Sequence, residues 1–390
     1  MLHAYIFSAC RTPIGRFRGA LSSLAATDLA AQTIAAALRQ SHIPAEGVES
    51  VILGQVLTAG VGQAPARQAA LKSGLPAQVA ALTINQVCGS GLQAVMLAAQ
   101  AVRSHDAEVV VAGGMESMSR AGYVLSRDAP SLGDRTLIDT LQHDGLTCAT
   151  SQRLMGDIAE GLSQQLGLSR LELDQYAMES HRRACASIAA GMFRDEIVPV
   201  TVRVQGQERS IEHDEGPRAE TSLESLAALS PVFRPQGVVT AGNASMISDG
   251  AAALVIGSEV TAQRYGLQPL ARIVSAVTIG GPPEDLFLAP VEAIIKVAQR
   301  AQCSLQDIDL FEINEAFAAQ VLGCLRGLDL SPDRVNVQGG AIALGHPLGA
   351  SGARVLVTLL HSLRQQNKRL GVAALCLGGG NAVAMLVERC

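Results

Sequence analysis

Two cysteines, a histidine and an asparagine stand at joints of this 390-residue chain, the first three where apolar runs meet glycines and the asparagine between a strand and a helix. Together they supply a nucleophile, a base and an acid for acyl transfer through a thioester. Cys88 lies in Val87-Cys88-Gly89-Ser90-Gly91-Leu92, just before a run whose apolar positions Leu92, Val95, Met96, Ala99 and Val102 recur at helical spacing. A thiol there feels the positive end of the helix dipole, which favours the thiolate. His346 sits in a Gly-His-Pro loop, with Pro347 blocking a helix upstream and Gly349 and Gly352 permitting close packing in the run that ends near Leu363. Cys376 ends a strand-like run before Gly378-Gly379-Gly380, and Asn314 stands between a strand and a helix. Taken singly, each has a plain structural reading: buried cysteine is common, a histidine in a glycine loop is more often structural, and Asn314 could be an N-cap. What favours chemistry is their placement at corresponding ends of repeated units.

The repeat runs through a whole half of the chain. Gly91 and Gly352 are 261 residues apart, Gly113 and Gly379 266. Tyr5-Ile6-Phe7 answers Ala271–Ser275 as an opening strand, the helix Asp28–Leu38 answers Pro290–Arg300, and Glu49–Gly54 answers Ile308–Ile313. The Cys88 and His346 helices follow, each leading to a strand that ends in glycine. In the second half Gly378–Asn381 turns at once into Ala382–Val387, a hairpin signal. The equivalent strand of the first half is Gly250–Ile256, so the polar, loop-rich stretch between is an insertion. The pattern predicts an α/β protein of two duplicated βαβ-rich core halves, residues 1–117 with 249–268 and residues 269–390, and an inserted loop domain over 118–248.

Composition narrows the function classes. The chain is 48% hydrophobic and has no Trp, which predicts tightly packed helices and strands. A net charge of −5 without a basic cluster, and few aromatics to stack bases, argue against nucleic acid. No apolar run reaches membrane-spanning length, and no membrane partner is expected. The eight cysteines show no Cys-x-x-Cys pair, so neither a zinc site nor a dithiol centre is expected. His3–Ser8 reads directly as a strand, which leaves no transit segment, and a cytoplasmic location with reduced thiols is the expectation.

Seven separate motifs, in order along essentially the whole chain, resemble the thiolase family. They are Arg11-Thr12-Pro13-Ile14-Gly15, Asn85–Gly91, Gly113–Ser119, Thr240–Ser245, Asn314–Gln320, Gly339–Pro347 and Cys376–Gly380. The resemblance implies a thiolase-like fold in five layers and a reversible thiolytic cleavage or Claisen condensation of 3-ketoacyl-CoA. In that chemistry Cys88 attacks the 3-keto carbon after His346 takes its proton. The C2–C3 bond breaks, Cys376 protonates the departing acetyl-CoA enolate, and a second CoA thiol removes the acyl group from Cys88. His346 and a water positioned on Asn314 would hold the enolate oxygen. The backbone N–H groups of Cys88 and Gly378 would hold the oxyanion of the Cys88 adduct.

The same resemblance makes coenzyme A and acetyl-CoA substrates, with no tightly bound cofactor and no metal. Arg218 would meet the nucleotide, Ser225 the adenine region and Ser245 the pantetheine amide, with Met155, Ala241, Ala316 and Phe317 lining the tunnel. Arg218 as a solvated charge and Met155 as ordinary core are the structural alternatives. The family assembles as homodimers or homotetramers, and the excursion Ser119–Gly145 is suited to the latter.

The chain departs from the family pattern at four places. Asn381-Ala382 stands where another glycine is usual, Met246 where many relatives have glycine, and Leu154 where acetoacetyl-specific relatives often have histidine. Pro283-Glu284-Asp285-Leu286-Phe287-Leu288-Ala289-Pro290 replaces a Met-Gly-x-Gly-Pro stretch at the acyl end, so Phe287 and Leu288 are expected to alter that pocket. An acetyl-CoA C-acetyltransferase is the first expectation and a longer-chain degradative 3-ketoacyl-CoA thiolase the alternative. A malonyl-decarboxylating synthase on the same fold would lack Cys376, and an inactive CoA-binding scaffold would have no need to keep all four reactive residues.

Overall fold

The computed structural model describes residues 2–128, 131–204 and 206–390. Nine strands form the frame: β1 (Ala4–Arg11), β2 (Ser50–Gly54), β3 (Ala80–Ile84), β4 (Val109–Ser117), β5 (Ser248–Gly257), β6 (Ala271–Gly280), β7 (Leu310–Ile313), β8 (Leu370–Leu377) and β9 (Asn381–Arg389). Their order is β7-β8-β9-β6-β1-β5-β4-β2-β3, with Gly15–Arg16 adding a short pair to β5. The two halves of this order mirror each other: β6, β9, β8 and β7 answer β1, β5, β4 and β2. They join through a three-residue antiparallel contact, Ala4–Ile6 of β1 against Ile273–Ala271 of β6.

Helices make the layers. In the middle lie α2 (Ser90–Ser104) and α7 (Leu348–Gln365), one from each half, sharing a core with inward residues of both half-sheets. Outside the first half lies α1 (Ala26–Ser41), and outside the second α5 (Ala289–Arg300) and α6 (Ala318–Leu328), each over its own core. The five layers are thus helix, sheet, helix, sheet, helix. The central helices approach so closely that a Cβ on Gly91 would lie 2.7 Å from the Ala353 nitrogen, and one on Gly352 would collide with the Leu92 nitrogen. Real Cβ atoms do not come this near, which is why both positions are glycine.

The chain leaves the first half after Ser117 and returns at Ser248, where β5 inserts between β1 and β4. The intervening segment contributes α3 (Met155–Gln165) and α4 (Arg170–Ala189). Two expectations needed amending. Strand β3 was not foreseen; its counterpart in the second half has shrunk to a single bridge between Phe311 and Val335. The helix after Asn314 starts only at Ala318 with Phe317 as its N-cap, so Asn314 is not a capping residue.

Candidate active site

Cys88 is set by a tight elbow between β3 and α2. Val87 takes φ +47°, a left-handed conformation that side chains rarely adopt, and Gly89 is the N-cap. Ser90 staples the turn: its Oγ accepts the Gln86 N–H (2.8 Å) and donates to the Val87 carbonyl (2.6 Å). The sulfur faces its own backbone N–H and that of Gly378. Burial nevertheless pushes the thiol up to about 12. The dipole of α2 therefore does not yield a resting thiolate, contrary to expectation; desolvation outweighs it, and the proton must be taken by a base.

The candidate for that base is His346, whose tautomer is set by its partners. His346 is buried, and its Nδ1 lies 2.5 Å from Ser351 Oγ in the first turn of α7. Ser351 donates its own proton to the Pro347 carbonyl (2.9 Å), so its oxygen is left to accept Nδ1–H. The Nε2 lone pair then faces Asn314 Nδ2 at 3.4 Å. Burial, aided by the Arg354 charge, holds the ring down at about 3, so it rests neutral. The loop carrying it is anchored by its N–H to the Met246 carbonyl (3.0 Å).

Asn314 is held at the end of β7 by its N–H to the Ala374 carbonyl (3.0 Å), and its buried side-chain Oδ1 has no protein partner among the described residues. Cys376 ends β8 in a buried cluster that includes Phe287, Ala316 and Phe317. Burial first, and then the neighbouring Cys88 sulfur, push its thiol well above the usual range. Ala382 pairs directly across from Cys376, so the departure there places one methyl beside the thiol. Glycines at 379 and 380, with φ of +86° and +87°, make the hairpin that presents the Gly378 N–H.

The substrate-channel candidates divide into two groups. Phe317 bridges Ala244, Ser245 donates its N–H to the Ala316 carbonyl (3.0 Å), and Met155 packs on the Cys376 cluster. Phe287 stacks edge-on against Phe317 at 5.3 Å, while Leu288 points to Gly323 on α6. In contrast Ala241, Arg218 and Ser225 are exposed, and the Ser225 hydroxyl is engaged in the capping box of a short helix, donating to the Ser222 carbonyl. Sequence reasoning missed two supporting residues. Ser351 fixes the imidazole, and the buried carboxyl of Glu116 accepts N–H groups from Val56, Leu57 and Gly349, tying β4 and the chain after β2 to the start of α7. A lone carboxylate in a run of buried strand residues was the available signal for Glu116.

Among the described residues no group of three His, Cys, Asp or Glu side chains could hold a metal, and no helix is long and apolar enough to cross a membrane. The family model "Thiolase, N-terminal domain" matches residues 4–260, and "Thiolase, C-terminal domain" matches residues 267–389. The chain is 50% identical to the acetyl-CoA acetyltransferase of Escherichia coli (strain K12) and 48% identical to that of Cupriavidus necator, over 100% of both chains in each case. It superposes on the crystal structure of the Bacillus anthracis acetyl-CoA acetyltransferase with a TM-score of 0.98 and 42% identity. For the human mitochondrial 3-ketoacyl-CoA thiolase the values are 0.97 and 41%. Both alignments cover 100% of this chain and 99% of the other.

Proposed function

The chain belongs to the thiolase family, and on that premise we propose that it is an acetyl-CoA C-acetyltransferase working through an acyl-Cys88 intermediate. The observation that carries this reading is a second thiol, the buried Cys376, close enough to Cys88 for the Cys88 sulfur to push its pKa up. Cleaving a carbon–carbon bond between two thioesters needs one sulfur to hold the acyl group and a separate acid for the enolate.

His346 Nε2 takes the Cys88 proton, and the sulfur bonds to the 3-keto carbon. The new oxyanion receives the N–H groups of Cys88 and Gly378, each donor lowering the barrier by roughly 3 kcal/mol. As the C2–C3 bond breaks, Cys376 gives its proton to C2 of the acetyl-CoA enolate. The enolate oxygen is met by Nε2–H of His346 and by a water held on Asn314. The His346 proton passes to the Cys376 thiolate; the ring then takes the proton of a second CoA thiol, whose sulfur attacks the acyl-Cys88 carbonyl, and the Cys88 sulfur leaves and recovers that proton. Run backwards, the same steps condense two acetyl-CoA.

Coenzyme A enters as substrate, with no tightly bound cofactor, along Met155, Ala316, Phe317 and Ser245. Arg218, Ser225 and Ala241 serve its nucleotide end at the rim. Phe287 against Phe317 closes the acyl end and favours a short acyl group. A longer-chain 3-ketoacyl-CoA thiolase is the second reading; the human neighbour is named a 3-ketoacyl-CoA thiolase. We place the enzyme in the cytoplasm, in fatty acid metabolism, as a homodimer or homotetramer. Exposed Tyr123, Leu132 and Leu137 in the 119–145 excursion support self-assembly.

The division of labour is testable with Cys376→Ser. This variant should still pass acetyl groups between CoA molecules, a step needing only Cys88 and His346, while cleavage of acetoacetyl-CoA falls roughly 100-fold or more. Equal loss of both activities would contradict separate roles for the two thiols.

A further inference from the structure

Behind Asn314 and His346 lies a buried acid–base pair. Glu312 is on β7, two residues before Asn314, and Arg354 is on α7, three residues after Ser351. Glu312 Oε2 and Arg354 Nη1 are 3.7 Å apart, and each side chain is 2% exposed. Among the described residues, neither oxygen of Glu312 and none of the three guanidinium nitrogens of Arg354 has a protein hydrogen-bond partner. Other buried carboxyls nearby have hydrogen-bond donors. Glu315 accepts at both oxygens, from Tyr176 (2.8 Å), Ser180 (2.7 Å) and the Ile342 N–H (3.0 Å), while Glu196 accepts from Arg11 (2.6 Å) and Thr358 (3.2 Å) at Oε1 alone. A pair withdrawn from water without full bonding adds little or nothing to stability, and apolar residues of similar volume would serve the core as well or better. Its location offers another use, because it joins the two elements whose mutual placement sets the Asn314–His346 distance.

We propose that Glu312 and Arg354 are positioning residues: their pairing couples the end of β7, which presents Asn314, to the turn of α7 that presents Ser351 and so orients His346. This rests on the oxyanion roles given above to Asn314 and His346. A shift of about 1 Å between two such groups can cost on the order of 100-fold in rate. Ground-state contacts with CoA, which lie along Met155, Phe317 and Ser245, are left untouched.

The test is steady-state thiolysis of acetoacetyl-CoA, with thermal unfolding measured alongside, for the parent, the double variant Glu312→Leu/Arg354→Met, and Arg354→Lys. The double variant should unfold at or above the parent's temperature. Its KM should stay within about twofold while kcat falls roughly ten- to a hundredfold. Arg354→Lys keeps a cation but not the planar fork, so its kcat should lie between the two. A stable double variant with the parent's kcat, or a change confined to KM, would overturn the proposal. If the double variant does not fold, Arg354→Lys decides alone, and an unchanged kcat overturns the proposal. A parent without thiolysis would instead overturn the activity assigned above, which keeps the two failures distinct.

Discussion

At the scale of single residues, the site depends on a proton being in the right place before substrate arrives. Cys88 rests as a thiol and His346 as a neutral ring whose Nδ1 proton is committed to Ser351. Ser351→Ala should therefore lower kcat by about tenfold or more with little change in KM, because the ring loses the partner that keeps Nε2 free. Stopped-flow alkylation of Cys88 by iodoacetamide should slow in parallel; unchanged alkylation would separate Ser351 from the base. The candidate residues stand out in the sequence because Cys88, His346 and Cys376 each lie at a break between an apolar run and glycine, and Asn314 between a strand and a helix. Ser351 does not, since a small residue inside a helical pattern looks like packing until its oxygen is seen facing a ring nitrogen. The thiolate expectation for Cys88 went astray for a related reason: the helix end is visible in a sequence, and the desolvation opposing it is not.

At the scale of elements, the two central helices bring residues from opposite halves of the chain to one place. Their crossing at Gly91 and Gly352 leaves no space for a methyl group. Gly352→Ala should destabilise the fold by about 1–3 kcal/mol, read as a lowered unfolding temperature, with the catalytic groups themselves unaltered. An unfolding temperature equal to the parent's would mean that the helices can separate without cost. The repeat made most strands legible, including the hairpin of β8 and β9, because each could be matched to a partner half a chain away. It failed for β3, whose second-half partner is one bridge at Val335 and whose own residues, Ala80-Ala81-Leu82-Thr83-Ile84, show little alternation. The acyl-end departure was legible as a change of residues, but only the fold separates its effects. Phe287 lies inside the Cys376 cluster, and Leu288 packs on the edge of that cluster while reaching Gly323 on α6.

At the scale of the whole molecule, the inserted segment is locked to the core by Arg11, whose guanidinium pairs with Glu196 and Asp214 with no exposed surface. The pH dependence of stability follows from several such buried groups. His346 and His181 are held near 3 and 4 against an ordinary 6.5, chiefly by burial, so the unfolded chain takes up protons that the folded one refuses as pH falls below 6.5. Glu116 and Glu312 are pushed the other way by burial, to about 7 and 8 against 4.5, so the folded chain takes up protons first between those values. The opposing slopes largely offset each other between pH 6.5 and 4.5. Below 4.5 only losses remain, joined by carboxylates such as Glu179, held near 2 by Arg182 and Arg183. Urea midpoints should accordingly change little from pH 6.5 to 4.5 and drop steeply below; a steady decline starting at pH 6.5 would show the two carboxyls ionised in the folded protein. The most direct test of the whole account is steady-state thiolysis across 3-ketoacyl-CoAs of increasing chain length, beside a Cys88→Ala control. The account predicts the highest kcat/KM with acetoacetyl-CoA, a decline as the chain lengthens past Phe287, and no turnover in the control. Turnover that survives Cys88→Ala, or CoA binding without turnover at any chain length, would contradict it.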